Sequence, residues 1–390
     1  MRAFCSLPGS GAAIRLIARL TVRMAALALL SLQLTTAVAE IKPETIGKTT
    51  MGAPGPTWVM AKNVFGPAYI FDVATGDMQG LLSVSEWTPA IEANVRAREF
   101  YVPETYYSRR HRGERSDFVT IYDMKSLTAR HEIPVPNKIA ALPFRQYVGL
   151  LNDKRHLAVF NMTPAQSVSI VDVKKRTFVG EISTAGCALV MPVDKRAFLM
   201  ICGDGTLQLV RLDRAGKELA RIRSKTFFDV DTDPVYDKPV RTDDGWLLVS
   251  FEGKVFTATA DGDDIFISEP WSITSAKDRE ETWRIGGGQI IDYHPGLDLL
   301  FTLMHKGKKD THEDPGTEVW ILSGAGKRRI GRIELPGKSV DLLVSRNDKP
   351  LLTVADNDNK LHVYDVATTR LERTIEGVGG PNMIIGFGND

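Results

Sequence analysis

The residues of this 390-residue sequence best equipped for chemistry are three histidines, an Asp/Asn tetrad, a glycine triplet and a basic run. His294, His305 and His312 could offer imidazoles to a metal, but their separations match no metal-ligand spacing. Asp356-Asn-Asp-Asn359 offers oxygens in a calcium-like order for four residues, then lacks the downstream glycine and bidentate glutamate of a calcium loop. Ordinary turn polarity accounts for both groups. Gly286-Gly-Gly288 follows Trp283-Arg-Ile and precedes an apolar strand instead of a helix. It therefore has no helix N-terminus to present to a phosphate and reads as a tight turn. The basic run Ser108-Arg-Arg-His-Arg-Gly-Glu-Arg115 could meet an anion, yet the acids around it favour a solvated or salt-bridged loop. No Gly-x-Ser-x-Gly elbow and no local Cys/His signature occurs. The chain carries no self-contained catalytic constellation and no metal set that its spacing would predict.

The first 39 residues contain Arg2, Arg15, Arg19 and Arg23, no acid, and the apolar run Met24 to Leu34. That run is too short to span a bilayer as a helix, and Ala37-Val-Ala39 is an A-x-A cleavage site before Glu40. Residues 1–39 are expected to be a signal peptide and the mature chain to begin near Glu40, exported and soluble in the periplasm, with no later membrane span. Removing four of the 49 basic residues and none of the 48 acidic ones takes the formal charge from +1 to −3, which argues against nucleic acid.

Cys5 lies in the leader, so an oxidising compartment would receive the even pair Cys187 and Cys202. The segment between them reads as two short apolar strands around a Pro/Asp/Lys turn, which brings both sulfurs to the same end of a hairpin. A disulfide is expected; a redox-active pair would need C-x-x-C spacing.

The elements that must carry these residues repeat. Tyr69-Ile-Phe-Asp-Val-Ala-Thr-Gly76, Val119-Thr-Ile-Tyr-Asp-Met-Lys125, Val168-Ser-Ile-Val-Asp-Val-Lys174 and Leu361-His-Val-Tyr-Asp-Val-Ala367 share an alternating strand that runs into an Asp-led turn. Weaker copies start at Leu207, Val255 and Val319. Aligning Asp72, Asp123, Asp172, Arg211, Thr259, Ser323 and Asp365 gives a mean period of about 49 residues, which suits a four-stranded propeller blade. The expected fold is an all-β, seven-bladed propeller of antiparallel blades over residues 40–390 as a single domain, with Gly379 to Phe387 completing a blade begun near the mature N-terminus. A propeller is a scaffold for many purposes, so a non-catalytic periplasmic propeller for ligand or protein binding is the competing expectation.

The segment Ser108 to Asp123 resembles the corresponding stretch of methylamine and aromatic amine dehydrogenase heavy chains. Asn161 to Asp172, the cysteine hairpin ending in Ile201-Cys-Gly-Asp-Gly205, Trp283 to Gly287 and Thr374 to Gly377 follow in the same order. The aromatic amine branch looks closer through Arg223-Ser-Lys225, Pro270-Trp-Ser272 and Cys202-Gly-Asp-Gly205. The resemblance implies a large, cofactor-free subunit in an α2β2 heterotetramer, whose small disulfide-rich light chain holds tryptophan tryptophylquinone and the catalytic base. It also implies oxidation of a primary amine to aldehyde and ammonia, with single electrons passed to a small copper protein such as azurin or amicyanin. Trp87 falls where the family carries a phenylalanine that walls the substrate channel, so Trp87 is the expected channel residue; no catalytic residue is expected here.

Overall fold

The computed structural model describes residues 50–63 and 65–387. The signal peptide expected over residues 1–39 lies outside the described residues. Those residues belong to one compact unit made almost wholly of antiparallel strands. Among them no helix is long and apolar enough to cross a membrane.

The recurrent unit follows from local chemistry. Inner strands such as His156–Asn161 and Ser167–Asp172 are buried along their whole length, because neighbouring sheets cover both of their faces. The outer strand Thr177–Ser183 is largely exposed and completes the sheet. Between the third and outer strands the chain turns on an aspartate. Asp72 Oδ1 accepts from Ala74 N at 3.0 Å, Asp123 Oδ1 from Ser126 N at 2.7 Å, and Asp365 Oδ1 from Thr368 N at 2.7 Å. Four residues after Asp72, Asp123, Asp172 and Asp365 the backbone is left-handed, at Gly76, Leu127, Arg176 and Thr369. Just before these turns the strand pairing slips by one residue, at Ile70/Phe71, Ile121/Tyr122, Ile170/Val171 and Val363/Tyr364. The same bulge therefore recurs, and it adds twist to each sheet where it meets its neighbour.

The expectation of seven four-stranded blades is corrected by the hydrogen bonding. Five sheets of blade size stand apart among the described residues, four with four strands and one with five, and the remaining strands form one continuous eight-stranded sheet. The cause is Arg328–Val344, a single 17-residue strand. Its first part pairs with Gly316–Ser323, and Ser339 to Val344 pair with Leu351–Asp356. A period counted in turns overcounts sheets when one strand runs through without a break. The propeller thus shows five discrete blades, not seven.

Two repeat positions are also rephased. The turn carboxylate near Arg211 is Asp213, which accepts from Ala215 N and Lys217 N at 2.8 and 2.9 Å. Near Thr259 the chain turns in the tighter hairpin Asp261–Asp264. The C-terminal strand Met383–Gly386 pairs with Trp58–Lys62, so the last residues complete the first sheet. Apolar clusters lie between neighbouring sheets, as where Val59, Ala61 and Phe71 meet Leu361, Val363 and Ile375. Burial between sheets, at roughly 25 cal/mol per Å² of apolar area, supplies the main stabilising term.

Cys187 and Cys202 form a disulfide. They are directly opposed in the hairpin of Cys187–Val193 and Ala197–Cys202, with Cα atoms 4.0 Å apart, and both are buried.

Candidate functional site

In an antiparallel four-stranded sheet, the turn between the second and third strands and the connection onward to the next sheet leave from the same end. At that end of the first two sheets the chain gathers aromatic side chains. Phe65 lies in the turn between Trp58–Lys62 and Ala68–Asp72, and Trp87 in the connection from Asp77–Leu82 to Glu92–Asn94. Tyr107 and His111 come from the long hairpin of Glu99–Arg109 and Arg112–Asp123. The Trp87 ring meets Phe65, Tyr107 and His111 edge-on, with centroids 5.3, 6.3 and 6.1 Å away. Phe65 is 59% exposed, the indole of Trp87 is partly covered, and its Nε1 is buried with no hydrogen-bond partner.

The loop bearing Trp87 is built on a buried carboxylate. Glu104 Oε1 accepts from Ser85 N at 2.7 Å, and both Glu104 oxygens accept from Tyr122 Oη at 3.2 Å. Ser85 Oγ donates to Thr105 O and accepts from Trp87 N at 3.1 Å, while Thr105 N donates to Trp87 O at 3.1 Å. The loop bearing Phe65 starts at Lys62, whose Nζ donates to Asn63 O at 2.8 Å; Asn63 Oδ1 in turn accepts from Phe65 N at 3.2 Å. Lys62 and Glu104 are both fully buried. Burial pushes the Lys62 ammonium down to about 8, opposed by the Glu104 charge, and pushes the Glu104 carboxyl up.

The residues picked out by sequence are dispersed. Of the basic run, Arg110 and His111 face Glu86 at 3.3 and 3.5 Å, beside Trp87, and Arg115 makes a two-pronged contact with Asp117 at 2.8 and 2.7 Å. The run is a salt-bridged hairpin tip. His294 Nδ1 accepts from Leu297 N and His305 Nε2 contacts Thr311 Oγ1, whereas His312 packs on Phe251 with ring centroids 4.3 Å apart. Asp356 is spent on its own turn and on His362. Among the described residues no three His, Cys, Asp or Glu side chains converge as a metal set. Gly286 sits where other segments approach closely: a Cβ there would meet Asp314 O and the His305 ring at 2.5 Å. Gly287, Gly288, Tyr236, Phe251 and His312 border a cavity of about 610 Å³.

Sequence reasoning missed Lys62, Glu104 and Phe65. The available signal was context, since Glu104 falls on the same strand face as the buried Phe100 and Val102, and Lys62 ends the apolar run Trp58-Val-Met-Ala.

The family model for the methylamine dehydrogenase heavy chain matches residues 62–387. The chain belongs to that family. Its relatives include the methylamine dehydrogenase heavy chain of Methylophilus methylotrophus, 27% identical over 81% of this chain and 78% of the relative. The heavy chain of Paracoccus versutus is 26% identical over 81% and 75%, and that of Methylorubrum extorquens 25% over 72% and 70%. Among solved structures, a functionally unknown protein from Desulfotomaculum acetoxidans shares the fold with a TM-score of 0.58 at 7% identity, covering 86% of this chain and all of that one. The dihydro-heme d1 dehydrogenase NirN shares it with a TM-score of 0.54 at 15% identity, over 86% and 67%. At such identities the likeness is one of fold alone.

Proposed function

We propose that this chain is the large subunit of a periplasmic quinoprotein amine dehydrogenase that acts on aromatic primary amines. The observation that carries the large-subunit part of this reading is the family match over residues 62–387. One amine and one water give one aldehyde and one ammonia, and two electrons leave singly for a small copper protein while two protons go to solvent. Tryptophan tryptophylquinone, the group that accepts the electrons from the amine, belongs in this reading to the light chain of an α2β2 assembly.

This chain's own neighbouring tryptophans do not fit that group. Trp283 and Trp320 pack with centroids 5.3 Å apart, but both are buried beneath Arg329 and Arg332, and their indole N–H groups are given to Glu281 and Glu318. They form a cation–π stack inside the sheet. The role left to this subunit is to dock the light chain and to wall the approach of the amine. Trp87 is the residue proposed for that wall, supported by its partly covered indole beside exposed Phe65. Preference for aromatic amines is supported by the resemblance at Arg223 to Lys225 and Pro270 to Ser272, and export by the leader sequence.

Isolation of the native complex and an assay of amine-dependent dye reduction test the proposal. A small quinone-absorbing chain should co-purify, and an arylalkylamine should be turned over with higher kcat/KM than methylamine. A homogeneous native protein without a partner chain or amine turnover would overturn it.

A further inference from the structure

Two loops present the rings of Phe65 and Trp87 to each other at 5.3 Å, and each loop is tethered from beneath by one of two fully buried charged side chains. Lys62 holds the first through Asn63 O, and Glu104 holds the second through Ser85 N. Burying an ammonium and a carboxylate costs several kcal/mol unless attraction and hydrogen bonding offset it. Here the attraction between them opposes the burial of the lysine, and Tyr122 adds a donor shared by both carboxylate oxygens. Lys62, Tyr106 and Tyr122 are the titratable groups around Glu104, with Glu132 farther out beside Tyr106. A pair kept only for packing would be replaced at little cost by apolar residues of similar volume. These two side chains instead donate and accept at the backbone of two ring-bearing loops.

We infer that Lys62 and Glu104 are positioning residues that set the gap between Phe65 and Trp87, and through it the size of amine substituent the subunit admits. The inference rests on the reading of Trp87 as a wall of the substrate approach. Each tether acts on its own loop, so removal of either charge frees one ring relative to the other. The ionisable partner left behind loses their mutual attraction, which weakens the remaining tether. Selection between bulky and small amines should then relax while the reacting group on the other subunit is untouched.

The test uses the assembled complex carrying Glu104→Gln, Lys62→Met or Tyr122→Phe, the last removing one donor to the carboxylate while leaving the charge. The ratio of kcat/KM for 2-phenylethylamine over methylamine should change roughly five- to ten-fold in the first two, mainly through KM for the bulky amine. It should change less in Tyr122→Phe. Combining Glu104→Gln with Trp87→Ala should add nothing to the effect of Trp87→Ala alone, because the tether acts through that ring. In parallel, the full chain labelled with 5-fluorotryptophan gives a fluorine resonance for Trp87, identified by its loss in Trp87→Phe. Glu104→Gln should shift or broaden that resonance and spare those of Trp283 and Trp320. An unmoved Trp87 resonance in a folded Glu104→Gln protein overturns the positioning role. An unchanged amine ratio in Glu104→Gln beside a changed ratio in Trp87→Ala overturns it too, and leaves the channel reading intact. A moved resonance with no change of ratio in Trp87→Ala refutes the channel reading, and with it the claim on substrate size.

Discussion

Arg145 Nη2 lies 2.7 Å from Asp341 Oδ1 although the two residues are 196 positions apart. Asp341 Oδ2 accepts from Ile384 N in the C-terminal strand that completes the first sheet, so one buried carboxylate ties together three distant parts of the propeller. Burial pushes its carboxyl up to about 7 against the pull of Arg145 and the backbone donors. Its folded value is raised above the ordinary carboxylate range, so its contribution to stability is fully present below about pH 4 and is lost as pH rises through about 7. Thermal melts of the wild type and Asp341→Asn between pH 4 and 8 check this. The difference in Tm between them should move in favour of the variant as pH rises; a constant difference would show that Asp341 is ionised throughout.

The disulfide gives a second expectation. Cys187 and Cys202 close a loop with a sequence separation of 15 residues, for which the chain-entropy model gives about 3 kcal/mol. The hairpin they bridge is already paired in register, so Cys187→Ser with Cys202→Ser should fold and unfold at lower denaturant with the slope little changed. Thiol titration of the unreduced, denatured mature chain should find none.

The proposed division of labour between subunits predicts that this chain, freed of its light chain, turns over no amine. The buried ionisable groups near Trp87 are committed to the loops that hold it. Rigorous separation followed by dye-reduction assay, then re-addition of the light chain, measures this directly. Activity should return only on re-addition, with a docking interface on the order of 1,200 Å² or more of buried surface.

What the sequence made legible follows from the range of the interactions involved. The Asp72, Asp123, Asp172 and Asp365 turns were readable because each is closed by hydrogen bonds within a few residues of the aspartate. Cys187 and Cys202 were readable because the hairpin between them is local. The continuous sheet was not, because whether Arg328–Val344 breaks depends on two partner strands, one before and one after it. Of the candidate site, Trp87 was reached through family resemblance. Lys62 and Glu104 escaped notice because strands buried on both faces show no alternation, and a charge within them looks like an irregularity until its partner is seen.

The last prediction concerns Trp87 itself. A core tryptophan truncated to alanine loses about 3 to 5 kcal/mol, but this indole is only partly covered and its N–H has no partner to orphan. Its neighbours Phe65 and His111 are exposed and can close part of the gap. Trp87→Ala should therefore cost well under that range and leave the complex assembled. If the ring walls the substrate approach, the ratio of kcat/KM between bulky and small amines should change by roughly ten-fold or more, since one apolar contact is worth about 1 to 3 kcal/mol of discrimination. Trp87→Phe, which keeps a smaller aromatic ring at this position, should fall between the two. Melting curves and paired kinetics on the same preparations separate the possibilities. An early-melting Trp87→Ala protein with unchanged amine preference would make Trp87 a packing residue and remove it from the channel.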